Sequence, residues 1–288
     1  MDRTFRLLLT FALFLAAPAF AQDTAADRGF IWEVSGERGR VYLVGSMHMA
    51  PPGLYPLPPR IDEAFAESEA LVVEADVTRG QEAVLARALY PAGDELGKHI
   101  SPALLARTLE RAARAGLPEA GVQRMKPWLI GSLLGVLELS SSGFTAENGI
   151  DLHFLKLARE GKRILELEGV EAQIELLDGL EPAEQELWLE YSLRQLDDTR
   201  RFVDELLAAW RAGDAAAMEA LVTKSVRDEP RFAPIYRKLL DDRNERMAEQ
   251  IEGYLLQGGN YFIVVGAGHL VGERGLLRLL GRRHAVRP

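Results

Sequence analysis

The chain has 288 residues, no cysteine and a formal charge of −9, with 34 Lys and Arg against 43 Asp and Glu. The lack of thiols excludes disulfides, cysteine nucleophiles and thiolate metal sites, and the acidic balance argues against nucleic acid or anionic lipid as a partner. With 48% hydrophobic residues the chain can build a core without covalent staples.

Residues 1–21 read as a secretory signal: Arg3 and Arg6, then "LLLTFALFLAAPAF", then Ala19-Phe20-Ala21. The apolar run is shorter than the roughly 20 residues a bilayer span needs. A cleaved leader is therefore expected rather than an anchor. It would leave residues 22–288 as a single exported domain, periplasmic or secreted, with no stable membrane insertion.

Next, "FIWEV" and "RVYLVG" flank the polar turn "SGERG", the pattern of a β-hairpin. A proline-rich loop, "PPGLYPLPP", leads to the helical spacing of "RIDEAFAESEA" and a short buried strand in "LVVEAD". From about 79 to 257 the spacing is helical, punctuated by "YPAGDELG", "AGLPEAG" and "MKPW", and interrupted by a short strand near 163–168. Within it, Pro102 after Ser101 marks a helix start, and "GIDLHFLKLAREGK" is amphipathic. One long helix is expected from Pro182 to Trp210, and a second periodic run covers 233–256. "YFIVV" is the last buried strand, followed by a short helix and by "HAVRP" as a final edge strand. These elements predict an α/β fold, with a central mixed sheet split between the N- and C-terminal parts of the chain by a large helical insertion.

Two of the strands end alike. "VYLVGSMHM" passes through Gly45 to His48, and "YFIVVGAGH" passes through Gly266 to His269. Glycine permits the tight or left-handed turn needed to leave a strand. The histidine then lies beyond the strand's carboxyl end, where open α/β sheets bind ligands. On neighbouring parallel strands the two imidazoles would share a crevice. Glu74, just past "LVV", and Glu166 and Glu168, at another strand end, could add a carboxylate. Two histidines and a carboxylate suit Zn, Mn, Co or Fe. Two separate histidines capping strand ends remain the alternative.

Other features read as structural. Gly281 to His284 repeats the spelling, but after a helix, where glycine is an ordinary C-cap. His99 reads as a surface residue and His153, beside Asp151, as a packed or solvated helix residue. "RNER" (243–246) reads as a solvated helix face, and Trp188, Tyr191, Phe202 and Trp210 as core. "GAGHLVG" lacks the downstream strand and acidic residue of a dinucleotide fingerprint, since only 16 residues follow Gly272. Neither G-x-S-x-G nor H-E-x-x-H occurs.

Taken together, "YLVGSMHMAPPGLYPLP", "AFAESEALVVEAD", "KPW", "NGIDLHFLKLAREGKRILELEGVEAQIELLDGL", "AWRAGD", "DRNERMAEQI" and "YFIVVGAGHLVGERGLLRLL" resemble the TraB/GumN family, to which Tiki-type metalloproteases are related. The resemblance spans nearly all of residues 22–288. Where the family has Leu-Glu-Thr, this chain has Leu167-Glu168-Gly169, followed by Gln173. The resemblance implies metal ligation by His48 and His269, with Glu74 as third ligand or general base. It adds Glu168 to the catalytic set, and Arg243 and Asn244 facing the site, with Arg243 holding a substrate carboxylate or oxyanion.

The resulting expectation is an exported hydrolase using Mn, Co or Zn, with a peptide or small molecule as substrate and a peptidase as the leading form. The runner-up is a noncatalytic envelope protein that binds a metal, haem or small ligand. Replacing His48, His269 or Glu74 is expected to leave fold stability unchanged, as for polar groups in a solvent-facing crevice. The leader makes the first prediction: the protein recovered from the cell envelope begins near Gln22 by N-terminal sequencing, whereas a cytoplasmic product beginning at Met1 would refute export.

Overall fold

The computed structural model describes residues 28–288, so the leader expected at 1–21 lies outside the described residues. Six strands form one mixed sheet: β1 Ile31–Ser35, β2 Gly39–Ser46, β3 Ala70–Val73, β4 Arg163–Glu166, β5 Gly259–Gly266 and β6 Ala285–Arg287. Their order is β4-β3-β5-β2-β1-β6. The strands β4, β3, β5 and β2 run parallel, while β1 is antiparallel to both β2 and β6. The α/β architecture is thus as the sequence predicts, and the strand within the helical insertion joins the same sheet as an edge.

Burial explains why these segments are strands. All four residues of β3 are buried, as are the last six of β5. Side chains alternate between faces along β5. Phe262 meets Phe65 and Phe154 on one face, with ring centroids 5.3 and 4.6 Å away. These rings come from helices Pro59–Glu67 and Ile150–Ala158. On the other face Tyr261 stacks on Tyr254 of the Asp242–Gln257 helix at 4.6 Å. A strand buried on both faces reads as a continuous apolar run, as "YFIVV" does.

The insertion builds a core of its own. Leu96, Leu104, Ile130, Leu134, Leu189 and Leu193 pack in a cluster separate from the sheet core. Lys126 of "KPW" pairs with Asp178 at 2.5 Å, and Pro127 opens the Pro127–Ser141 helix. The long helix expected from Pro182 to Trp210 is in fact two, Pro182–Gln195 and Thr199–Ala212, joined by a tight turn at Leu196–Asp198. The turn buries Leu196 in the insertion core and lets Asp197 accept from Arg111 at 2.6 Å. Among the ties between insertion and sheet, Trp210, 1% exposed, donates its indole N–H to the Gly45 carbonyl at 2.6 Å.

Gly45 is glycine for a different reason than the one expected. Its φ is not positive, and Gly266 has φ −50° and ψ 135°. What requires glycine at 45 is space. A Cβ there would overlap the fully buried Phe30 ring and stand 3.1 Å from Ala267. Gly45→Ala should therefore lower stability by about 1–3 kcal/mol, the usual cost of overpacking, read as a drop in the urea midpoint at unchanged slope. A wild-type midpoint would show that the Phe30 contact is soft.

Candidate functional site

Because β2, β5 and β3 are parallel neighbours, their carboxyl ends lie side by side on one edge of the sheet. Register fixes the levels: Ser46 is opposite Gly266, and Val73 is opposite Val264. His48, His269 and Glu74 leave from these three ends and line one crevice of about 370 Å³, together with Gln173 and Arg243 and apolar residues such as Trp188 and Phe232. Gly266 lies among them. A Cβ on it would stand 3.2 Å from His48 Nε2, 3.3 Å from Glu74 Oε1 and 3.6 Å from His269 Cδ2. The glycine at this strand end leaves room for the site.

His269 sits in the single helical turn Ala267–Leu270 and is 4% exposed. Its Nδ1 lies 2.6 Å from Asn244 Oδ1. The amide orientation is set by its other end, since Asn244 Nδ2 donates to the Arg274 carbonyl at 2.9 Å. Asn244 Oδ1 can then only accept, so Nδ1 carries the proton and Nε2 presents a lone pair. Burial pushes this imidazole down to about 4, against the attraction of Glu74, so the ring is neutral at pH 7.

Glu74 is 8% exposed. Burial would raise its carboxyl. The neighbouring imidazoles, Arg243 and the Gly266 N–H outweigh that and bring it down to about 2. Its Oε1 accepts from Gly266 N at 2.6 Å, while Oε2 accepts from Arg243 Nη2 at 2.5 Å and Gln173 Nε2 at 3.1 Å. Each carboxylate oxygen has two lone pairs; Oε2 is filled and Oε1 keeps one. Glu74 Oε2 and His269 Nε2 face each other at 3.7 Å. Both are acceptors, with no proton to share.

His48 differs from its counterpart. Its Nδ1 bonds Asp151 Oδ1 at 2.9 Å, and Ser46 Oγ donates to the same oxygen. Its side chain faces the open crevice and is 66% exposed. The attraction of Asp151 raises this imidazole above its ordinary value, with burial opposing. Asp151 comes from the first turn of the Ile150–Ala158 helix, which is brought close by Gly149: a Cβ there would collide with the His48 carbonyl.

Arg243 and Asn244 do face the site, from the start of the Asp242–Gln257 helix. A π-helical turn at Arg237–Asp241 precedes them, a distortion frequent at functional sites. Arg243 Nε and Nη2 clamp Glu168 at 2.9 and 2.6 Å, Nη2 also reaches Glu74, and Nη1 donates to the Leu239 carbonyl at 3.0 Å. Of five guanidinium protons, one on Nη1 is left for a further acceptor. Arg243 thus acts on Glu74 more directly than on anything in the crevice. Glu168 stands behind it, its side chain 8% exposed, bonded also by Gln173 at 3.1 Å. Glu166 is engaged elsewhere, accepting from the Asp76 N–H at 2.5 Å. At position 169 the backbone has φ +92°, which suits the glycine found there and would strain a threonine.

The other histidines lie outside the crevice. His99 bonds Asp94 and stacks on Tyr90, and His153 packs on Tyr55 and Phe154. His284 follows the Leu276–Gly281 helix, its N–H closing on the Leu280 carbonyl. Of the four aromatics read as core, Trp210 is core, whereas Trp188, Tyr191 and Phe202 line an apolar cavity. The "RNER" segment is not simply a solvated face, because Asn244 is 1% exposed. Sequence reading missed Asp151 as the partner of His48, and Ser46 as a donor to Asp151. The expectation that Glu74 and His269 are replaceable without loss of stability is corrected by their burial in a linked polar network.

The donor chemistry fits a divalent ion in part. Both imidazoles have one nitrogen fixed by a hydrogen-bonding partner, as metal-bound histidines almost always do, and Glu74 is ionised. As placed, no three imidazole or carboxylate groups among the described residues enclose an ion. The fit is therefore two nitrogen ligands with Glu74 beside them.

A sequence model of the TraB/PrgY/gumN family matches residues 30–286. Protein YbaP of Escherichia coli (strain K12) is 27% identical to this chain over 240 residues, covering 83% of this chain and 87% of its own. YbaP of Shigella flexneri gives the same figures. No solved structure matches the chain.

The assigned tautomer is open to test. Long-range ¹H–¹⁵N spectra should show His269 protonated at Nδ1 and bare at Nε2. Asn244→Ala should mix the tautomers and lower stability by about 1–3 kcal/mol, because a buried donor loses its acceptor. A wild-type His269 protonated at Nε2 would contradict the assignment.

Proposed function

The chain belongs to the TraB/PrgY/gumN family, and from that premise we propose that it is an exported, metal-dependent hydrolase acting on peptides. One observation carries the reading. A neutral buried imidazole presents its bare Nε2 to an ionised carboxylate at 3.7 Å, and the second strand-end histidine stands beside the same glycine. With Oε1 of the same carboxylate keeping a free lone pair, the crevice holds the imidazole and carboxylate donor types that divalent ions take.

His48 and His269 would hold the ion through Nε2. A bound divalent ion would polarise the scissile carbonyl and lower the pKa of an attacking water to about 7. Glu74 is the group placed to accept the proton of that water, at the free lone pair of Oε1. Arg243, Gln173 and the Gly266 N–H hold the carboxylate ionised and fixed in place; held down to about 2, it is a weaker base than the near-neutral group that suits general-base catalysis. Asp151 and Asn244 fix the two rings. Among the described residues no helix is long and apolar enough to cross a membrane.

The test pairs two measurements on the purified protein: metal per chain, and turnover of a peptide library with Mn²⁺, Co²⁺ or Zn²⁺. His48→Ala and His269→Ala should each abolish metal retention and cleavage together, and His284→Ala should change neither. Glu74→Gln should lower turnover by roughly 10²–10⁴-fold. Wild-type protein that cleaves nothing under any of these ions would eliminate the hydrolase reading. Stoichiometric metal binding without turnover would point instead to a binding protein.

A further inference from the structure

A second, larger cavity of about 690 Å³ joins the crevice, and His48, Trp188, Val222, Ser225 and Phe232 line both. Its walls come from the Pro127–Ser141, Pro182–Gln195 and Thr199–Ala212 helices, with Leu139, Tyr191, Leu196, Phe202 and Leu221 facing in. The hydroxyls on these walls do not make them polar. Ser132, Ser192 and Thr199 each donate to the carbonyl four residues earlier, at 2.8, 2.8 and 3.1 Å. Lys224 in the lining is paired with Asp228. Gly135 lies on the same wall, and a Cβ there would meet nothing within 4 Å.

We propose that this trough is a substrate subsite for large apolar side chains of a peptide, beginning at His48. The inference rests on the peptide-hydrolase reading and adds the substrate's character to it. An apolar wall next to a reaction centre discriminates by the surface it removes from water. Four aromatic rings, of Trp188, Tyr191, Phe202 and Phe232, favour aromatic and branched side chains packed edge or face against them. Apart from His48 at its mouth and the Lys224–Asp228 pair, the lining offers only neutral polar groups, such as the unpartnered Trp188 indole N–H, so a charged peptide segment would lose its hydration without gaining a counter-charge.

Gly135→Leu tests the trough. It fills open space and replaces a helix-weakening residue by a good helix former, so the variant should fold, and its thermal melt verifies this. Three dansyl-labelled probes are titrated by anisotropy against the wild type and the variant: pentaalanine, Ala-Phe-Ala-Leu-Ala, and N-dodecanoyl-pentaalanine. The wild type should bind Ala-Phe-Ala-Leu-Ala at least about tenfold more tightly than pentaalanine, the discrimination expected of apolar pockets. Gly135→Leu should bring the two within about twofold and leave pentaalanine unchanged. Equal affinities in the wild type, an advantage that survives Gly135→Leu, no binding of any probe, or preference for the dodecanoyl probe alone would each overturn the proposal. Apolar-dependent binding without cleavage would uphold the trough while the hydrolase reading fell. Cleavage indifferent to Phe and Leu would uphold the hydrolase and overturn the trough.

Discussion

An ionised carboxylate with 9% of its side chain exposed cannot stand alone, and most of the site follows from how Glu74 is compensated. An unpaired buried charge costs several kcal/mol. Here the counter-charge is Arg243, itself only 11% exposed, at 2.5 Å. Arg243 needs compensation in turn, and Glu168 supplies it from the end of β4. Three chain segments far apart in sequence are thereby tied to one sheet edge. Two carboxylates around one guanidinium leave one negative charge in excess, at the place where a neutral imidazole offers a lone pair.

The two strand-end histidines share a spelling but not a state. His269 is buried and bonded to an amide that cannot take its proton. His48 faces the open crevice and is bonded to a carboxylate that raises its affinity for one. Metal binding has to displace a proton wherever the ligand is protonated. In this pair that cost would fall on His48 alone, since His269 already presents a bare Nε2.

The strands were legible because their burial is written into composition: "YFIVV" and "LVV" are apolar throughout, as both-face burial demands. His48, His269 and Glu74 were legible as strand-end residues, and the family resemblance added Glu168, Arg243 and Asn244. What could not be read is the pairing. Nothing in "NGID" announces that Asp151 will meet His48, because the contact depends on a backbone approach at Gly149. Glycine at 45 and 266 was noticed for the wrong cause. Both positions have ordinary φ, and the constraint is the space around the missing Cβ, set by residues elsewhere in the chain. The break at Leu196–Asp198 was hidden for a similar reason. The apolar period runs through it, and tertiary packing of Leu196 decides the turn. The apolar trough was hidden because aromatic spacing looks the same whether the rings fill a core or line a cavity.

The strand at the centre of the sheet, β5, is among the last made. Until residues 259–266 are in place, β2 and β3 have no partner on their inner sides, and the ends that carry His48 and Glu74 are not held together. A chain synthesised from its N-terminus therefore passes through a long stage as two unjoined half-sheets with open edges, the kind of surface that pairs with other chains when left exposed. Closing them requires contacts between segments nearly two hundred residues apart, as in the Gly266 N–H bond to Glu74, and such topologies form slowly. The same order of assembly leaves the crevice unformed until β5, with His269 just past its end, has entered the sheet.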